Sequence, residues 1–175
     1  MELRRVLSLA AVVSVLFIFN SQAQKKNNWS QLYEASKYKD LPYKLMKPLN
    51  FDSSKKYPLI VSLHGAGGRG DDNKKQLKAW NGQLAADNIR KGFPCYVLAP
   101  QSKGLWNGDQ LNLIKEIIKT LPAVDMKRIY IIGHSMGGYG TFIFIKPDPK
   151  YLGAAVPSAV AGLTIIADFI SDKRI

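Results

Sequence analysis

Three stretches of this chain, YPLIVSL (57–63), PCYVLA (94–99) and RIYIIG (128–133), are apolar with almost no polar interruption. A strand wetted on one face alternates with period two, so an unbroken apolar run of strand length belongs to a strand covered on both faces. Helical spacing fills the intervals. Leu77, Trp80 and Leu84 share a face within residues 74–91, and Leu111, Ile114, Ile118 and Leu121 form a stripe within 109–121. A further helix is read in MGGYGTFIFI (136–145), a strand in GAAVPSAV (153–160) and a last helix in LTIIADFISDK (163–173). YKLMKPLNF (43–51) holds an edge strand. Strand and helix in regular alternation predict an α/β fold, a mostly parallel sheet between two helical layers.

The 175 residues suit one domain. Arg4 and Arg5 precede an apolar run from Val6 to Phe19, and Ser21-Gln22-Ala23 follows. That order predicts a signal peptide over 1–23, since the apolar run is short for a membrane span. Residues 24–175 are then the folded domain of a secreted or periplasmic protein, with no stable membrane insertion after cleavage. Cys95 is the only cysteine, which excludes an intrachain disulfide, and it is read as a buried, inert strand residue. The net charge of +12 is scattered as singles and pairs. Without a basic stripe, nucleic-acid binding is disfavoured and no nucleic-acid partner is expected, whereas attraction to acidic surfaces is compatible. Two histidines and one cysteine could hardly build a metal cluster, so neither metal nor cofactor is expected. The oligomeric state is not legible.

The chemistry concentrates in GHSMGG. Gly133-x-Ser135-x-Gly137 falls between a strand and a helix, where a nucleophile elbow belongs. Small flanking residues let strand and helix pass each other, and the helix start aims N–H groups and its positive dipole end at an oxyanion. LHGAGGRGDDN (63–73) follows the first buried strand and suits a loop supplying a second oxyanion N–H. Gly65-x-Gly67-x-x-Gly70, with Asp87 further on, also fits a dinucleotide-binding pattern. Context disfavours it, because DDNKKQ follows where an apolar helix start should be, and Asp87 falls in a helical stretch and not at a strand end. Asp71 and Asp72 either cap the following helix or bond within the loop. Trp80 is read as core, and Trp106 as a candidate substrate contact on a sheet-end loop.

In their order and spacing, YPLIVSLHGAGGRGDDN, FPCYVLAPQ, RIYIIGHSMGGYGTF and GAAVPSA resemble the α/β-hydrolase superfamily. The likeness covers about residues 40–175. It is nearest to secreted esterases of the polyhydroxybutyrate-depolymerase-like and feruloyl-esterase type, which border on prolyl-oligopeptidase-like hydrolases. The resemblance implies that Ser135 is the nucleophile and that the N–H groups of Ala66 and Met136 form the oxyanion hole. It also implies serine-dependent hydrolysis of a small or polymeric ester, carbohydrate-linked or polyester, through an acyl-enzyme. His134 adjoins the serine and cannot reach Ser135 Oγ as a base, and His64 belongs to the oxyanion loop. Asp168 and Asp172 precede the place where the family's acid belongs. The triad acid and histidine are therefore expected beyond Ile175, leaving the sheet incomplete at its C-terminal edge and the chain inactive as it stands. A catalytically silent binding protein is the alternative from another class.

Overall fold

The computed structural model describes residues 28–160. The leader 1–23 and the last predicted helix, 163–173, lie outside them. Six strands form one mixed sheet in the order β1-β2-β4-β3-β5-β6. β1 (Glu34–Tyr38) and β2 (Leu41–Met46) make an antiparallel hairpin, and β2 runs antiparallel to β4 (Tyr96–Pro100). β3 (Tyr57–Leu63), β5 (Val124–His134) and β6 (Ala154–Ser158) are parallel to β4 and to one another.

Period two sorts the side chains of the central strands between two cores. Leu59, Val61, Leu63, Ile129 and Ile131 are buried on one face, against Leu111, Ile114 and Ile118 of α3 (Gly108–Thr120) and Phe144 of α4 (Met136–Ile145). On the other face Ile60 and Val97 pack with Tyr33, Leu77, Leu84 and Ala85. The expected three layers are present.

α3 begins where its capping chemistry dictates. Asn107 Oδ1 accepts the Gln110 amide at 3.1 Å and Gln110 Oε1 accepts the Asn107 amide at 3.2 Å. The helix predicted over 74–91 is corrected. Residues 71–78 are irregular, and two short helices follow, α1 (Ala79–Leu84) and α2 (Asp87–Gly92). Asn81 Oδ1 accepts the Lys78 amide at 2.7 Å and so caps a fresh start at Ala79, and Ala86 is extended, which ends the first helix. Of the region 43–51 predicted to hold an edge strand, only 43–46 is strand, the end of β2; β1 takes the sheet edge in its place, and β5 starts four residues earlier than RIYIIG.

Because β3, β4 and β5 are parallel, the segments after Leu63, Pro100 and His134 open at one edge of the sheet. Among the described residues, no helix is long and apolar enough to cross a membrane.

Candidate active site

Ser135 stands at the turn between β5 and α4 with φ 54° and ψ −118°, a conformation that L residues rarely adopt. Its side chain is exposed, although the helix it opens is buried along Met136, Gly137 and Gly138. Two glycines make that turn possible. A Cβ on Gly133 would overlap the Gly137 carbonyl, and one on Gly137 would overlap the Leu63 carbonyl. No side chain fits between the elbow and the strands beside it. The Ser135 amide donates to the Ser158 carbonyl at 2.9 Å, pinning the turn to the end of β6.

The loop after β3 lies against this elbow. A Cβ on Gly65 would come within 3.6 Å of Ser135 Cβ and 3.1 Å of the His134 carbonyl. A 3-10 turn, Ala66–Gly68, follows. Ala66 and Met136 each open a helical turn, so neither N–H has an acceptor within its own turn. The arrangement brings together an exposed serine on a strained turn, the first turn of α4 and the glycine loop, whose Gly65 lies against the elbow. Those are the elements that stabilise a tetrahedral oxyanion.

The histidines take other positions. His64 is fully buried. Its Nε2 accepts the Ser102 amide at 2.9 Å, which leaves Nδ1 to carry the proton and donate to the Gly65 carbonyl at 2.8 Å. Burial pushes its pKa down to about 4, with a smaller contribution from the charges of Lys78 and Arg69, while the Gly65 carbonyl opposes the shift. His64 is thus a neutral strut of the loop. His134 is exposed, and its Nδ1 meets Ser158 Oγ at 2.9 Å. It lines a cavity of about 180 Å³ together with Trp80, Ile132, Val156 and Ser158. Neither ring is hydrogen-bonded to Ser135.

Trp106 does not line a cleft. It is 3% exposed, its ring centroid is 4.9 Å from that of His64, and its Nε1 donates to the His64 carbonyl at 3.1 Å. Its other neighbour is Gly140 of α4, where an added Cβ would meet the indole at 2.6 Å. The candidate substrate contact is a wedge between helix and loop. Trp80 is half-buried, with Nε1 donating to Ser62 Oγ at 2.8 Å. Asp71 pairs with Lys103 at 2.8 Å, and Asp72 Oδ1 accepts the Lys74 amide at 3.1 Å, so both serve the loop and cap no regular helix. The dinucleotide pattern fails on the same geometry, since its glycines lead into an irregular stretch and Asp87 opens α2. Cys95 is half-buried just before β4, and desolvation pushes its thiol up to about 11. Among the described residues no group of three His, Cys, Asp or Glu side chains could hold a metal.

The residues that sequence reasoning passed over are Gln101 and Ser102, directly after β4. Gln101 is 1% exposed and Ser102 fully buried, and both bond to the glycine loop. Their only sequence signal is their position at the end of a buried strand beside that loop.

No family model matches the chain. In structure it is similar to a thermostable esterase, with a TM-score of 0.72 and 34% identity, covering 81% of this chain and 44% of that one. An acetyl xylan esterase from Aspergillus awamori shares the fold, with a TM-score of 0.52 at 21% identity over 70% of this chain and 48% of that one. In sequence the chain is 30% identical over 128 residues to the probable dipeptidyl-peptidase 5 of Aspergillus clavatus, which is 63% of this chain and 17% of that protein. The chain thus spans less than half the length of each of these relatives. Sheet order, the strained serine between strand and helix, and the likeness to the thermostable esterase together show that the chain has the α/β-hydrolase fold.

Proposed function

We propose that the chain carries the nucleophile and oxyanion hole of a serine hydrolase acting on carboxylic esters. The observation that carries this reading is Ser135 itself, held at φ 54° on a turn that two glycines keep clear. Ser135 Oγ attacks the ester carbonyl carbon, and the developing oxyanion accepts from the Ala66 and Met136 amides. Collapse expels the alcohol and leaves an acyl-enzyme that water hydrolyses. The likeness to an esterase at 34% identity favours esters over peptides. Carbohydrate-linked or polyester substrates are the class proposed, and the leader 1–23 is proposed to direct export. N-terminal sequencing of the expressed protein tests the leader, and a mature chain retaining Met1 contradicts it.

A proton must leave Oγ during attack, and both histidines of the chain are engaged elsewhere. The chain alone is therefore a poor catalyst. Loss of the histidine from a serine triad costs on the order of 10⁶-fold in rate. The same engagement favours the second reading, a silent binding protein that keeps the elbow without turnover. Imidazole supplied in solution separates the two. Peptide mapping after treatment with a fluorophosphonate should find Ser135 labelled at a rate that rises with imidazole, and no label in Ser135→Ala. Absence of label at any imidazole concentration would support the silent binder.

A further inference from the structure

We propose that Gln101 is the positioning residue of the oxyanion loop, its carboxamide being the template around which residues 68–73 are wrapped. This rests on the reading of that loop given above. Gln101 Nε2 donates to the Gly68 carbonyl and to Asp72 Oδ1, each at 3.2 Å, and Oε1 accepts the Asn73 amide at 2.6 Å. One buried side chain thus uses both donors and an acceptor on three points of one loop. Its neighbour holds the other end. The Ser102 amide donates to His64 Nε2 at 2.9 Å, and its carbonyl accepts the Gly70 amide at 3.0 Å. Ser102 is itself anchored, because its Oγ accepts Gln110 Nε2, from the cap of α3, at 2.6 Å.

Between the clamps at His64 and Gly68 stands the tip of the loop, Ala66 and Gly67, both exposed. A Cβ on Gly67 would meet nothing within 4 Å. With no packing of its own, the tip takes its direction from the clamps. On this proposal the Ala66 N–H is aimed at the Ser135 site only while Gly68 stays in place, and Gly68 is the residue that Gln101 holds.

An isosteric change tests this. In Gln101→Glu the side chain keeps its shape and its acceptor for Asn73. As a carboxylate it cannot donate to the Gly68 carbonyl and repels Asp72. Asp40, Asp71, Lys37 and Lys103 share the cavity of about 340 Å³ beside position 101, and Asp72 lies against it with Lys74 within 4.0 Å. Acidification to about pH 5 protonates a carboxyl so placed against Asp72 and restores a donor.

The readout is amide hydrogen exchange at Gly68, Arg69 and Gly70, whose N–H groups bond within the loop or to Ser102 and not to Gln101. At pH 7, Gln101→Glu and Gln101→Ala should each lower protection at these amides by about 10-fold or more, with Ile129 and Ile131 unchanged. Near pH 5 only Gln101→Glu should recover. The imidazole-dependent labelling of Ser135 should fall in parallel with loop protection. Parent-like loop exchange in Gln101→Glu at pH 7 overturns the proposal. So does uniform loosening that includes Ile129 and Ile131, or unchanged labelling on a loosened loop. If the parent protein never labels, the hydrolase reading fails while exchange still decides the role of Gln101.

Discussion

The elbow and the glycine loop after β3 meet at Ser135, yet opposite means shape them. The elbow is defined by missing side chains: Gly133 and Gly137 let α4 pass so close to β3 and β5 that backbone meets backbone. The loop is defined by side chains that are present and polar, Gln101 and the His64 ring, and by the Ser102 amide. A steric constraint has no ionisable part and tolerates no added carbon. A hydrogen-bonded one tolerates changes of shape better but depends on protonation. The two halves of one site should therefore fail under different insults.

The largest effect is expected at the elbow. Gly137→Ala drives a methyl group into the Leu63 and His64 carbonyls, and backbone cannot rotate away as a side chain can. The expected loss is about 3 kcal/mol or more, a large part of a typical folding free energy, read by urea denaturation. A near-neutral Gly137→Ala would mean that strand and helix stand further apart than described.

Acid should act on the loop instead. The folded pKa of His64 is depressed to about 4, so as pH falls the unfolded chain takes up the proton first. Stability is full above the ordinary imidazole value of about 6.5 and falls progressively as pH drops towards 4, by up to about 3 kcal/mol. Denaturation of the parent and of His64→Gln at pH 7 and pH 4.5 isolates this contribution. The parent should lose more stability between the two conditions, and equal losses would remove His64 as the cause.

The smallest effect is expected at Trp106. Trp106→Phe retains most of the ring against Gly140 and loses the donor to the His64 carbonyl. About 1 kcal/mol should be lost, together with faster exchange at Gly68 and Gly70 while elbow amides are unaffected. A change at Tyr139 as large as at Gly68 would show that the two halves are not independent.

What was legible in the sequence follows the same division. β3 and β5 announce themselves as continuous apolar runs because both faces are covered, and the elbow announces itself because only glycine satisfies its sterics. β1 gave no signal, since Glu34–Ser36 and Lys37 are exposed and nothing apolar marks an edge strand. Residues 74–91 misled because Leu77, Trp80 and Leu84 do turn towards the second sheet face, at a spacing that imitates one helix. Two local polar bonds break it, Gln76 Nε2 donating to Asn73 Oδ1 and the Lys78 amide donating to Asn81 Oδ1, and the period of apolar residues does not record such bonds. Gln101 was invisible for the same reason. Glutamine belongs to no motif here, and its meaning lies in three partners up to 33 positions away. Trp106 was misplaced because a loop aromatic reads as exposed until its ring is seen beneath the loop.

The central claim is that Ser135 is poised while neither histidine ring is hydrogen-bonded to it, both being bonded elsewhere. Hydrolysis of a nitrophenyl ester by the chain, compared with Ser135→Ala under identical conditions, tests it most directly. The account predicts slow rates within about tenfold of each other, because the oxyanion hole alone leaves only a residue of catalysis. Rapid turnover that disappears in Ser135→Ala would show that a base is already in place, and the account would be wrong at its centre.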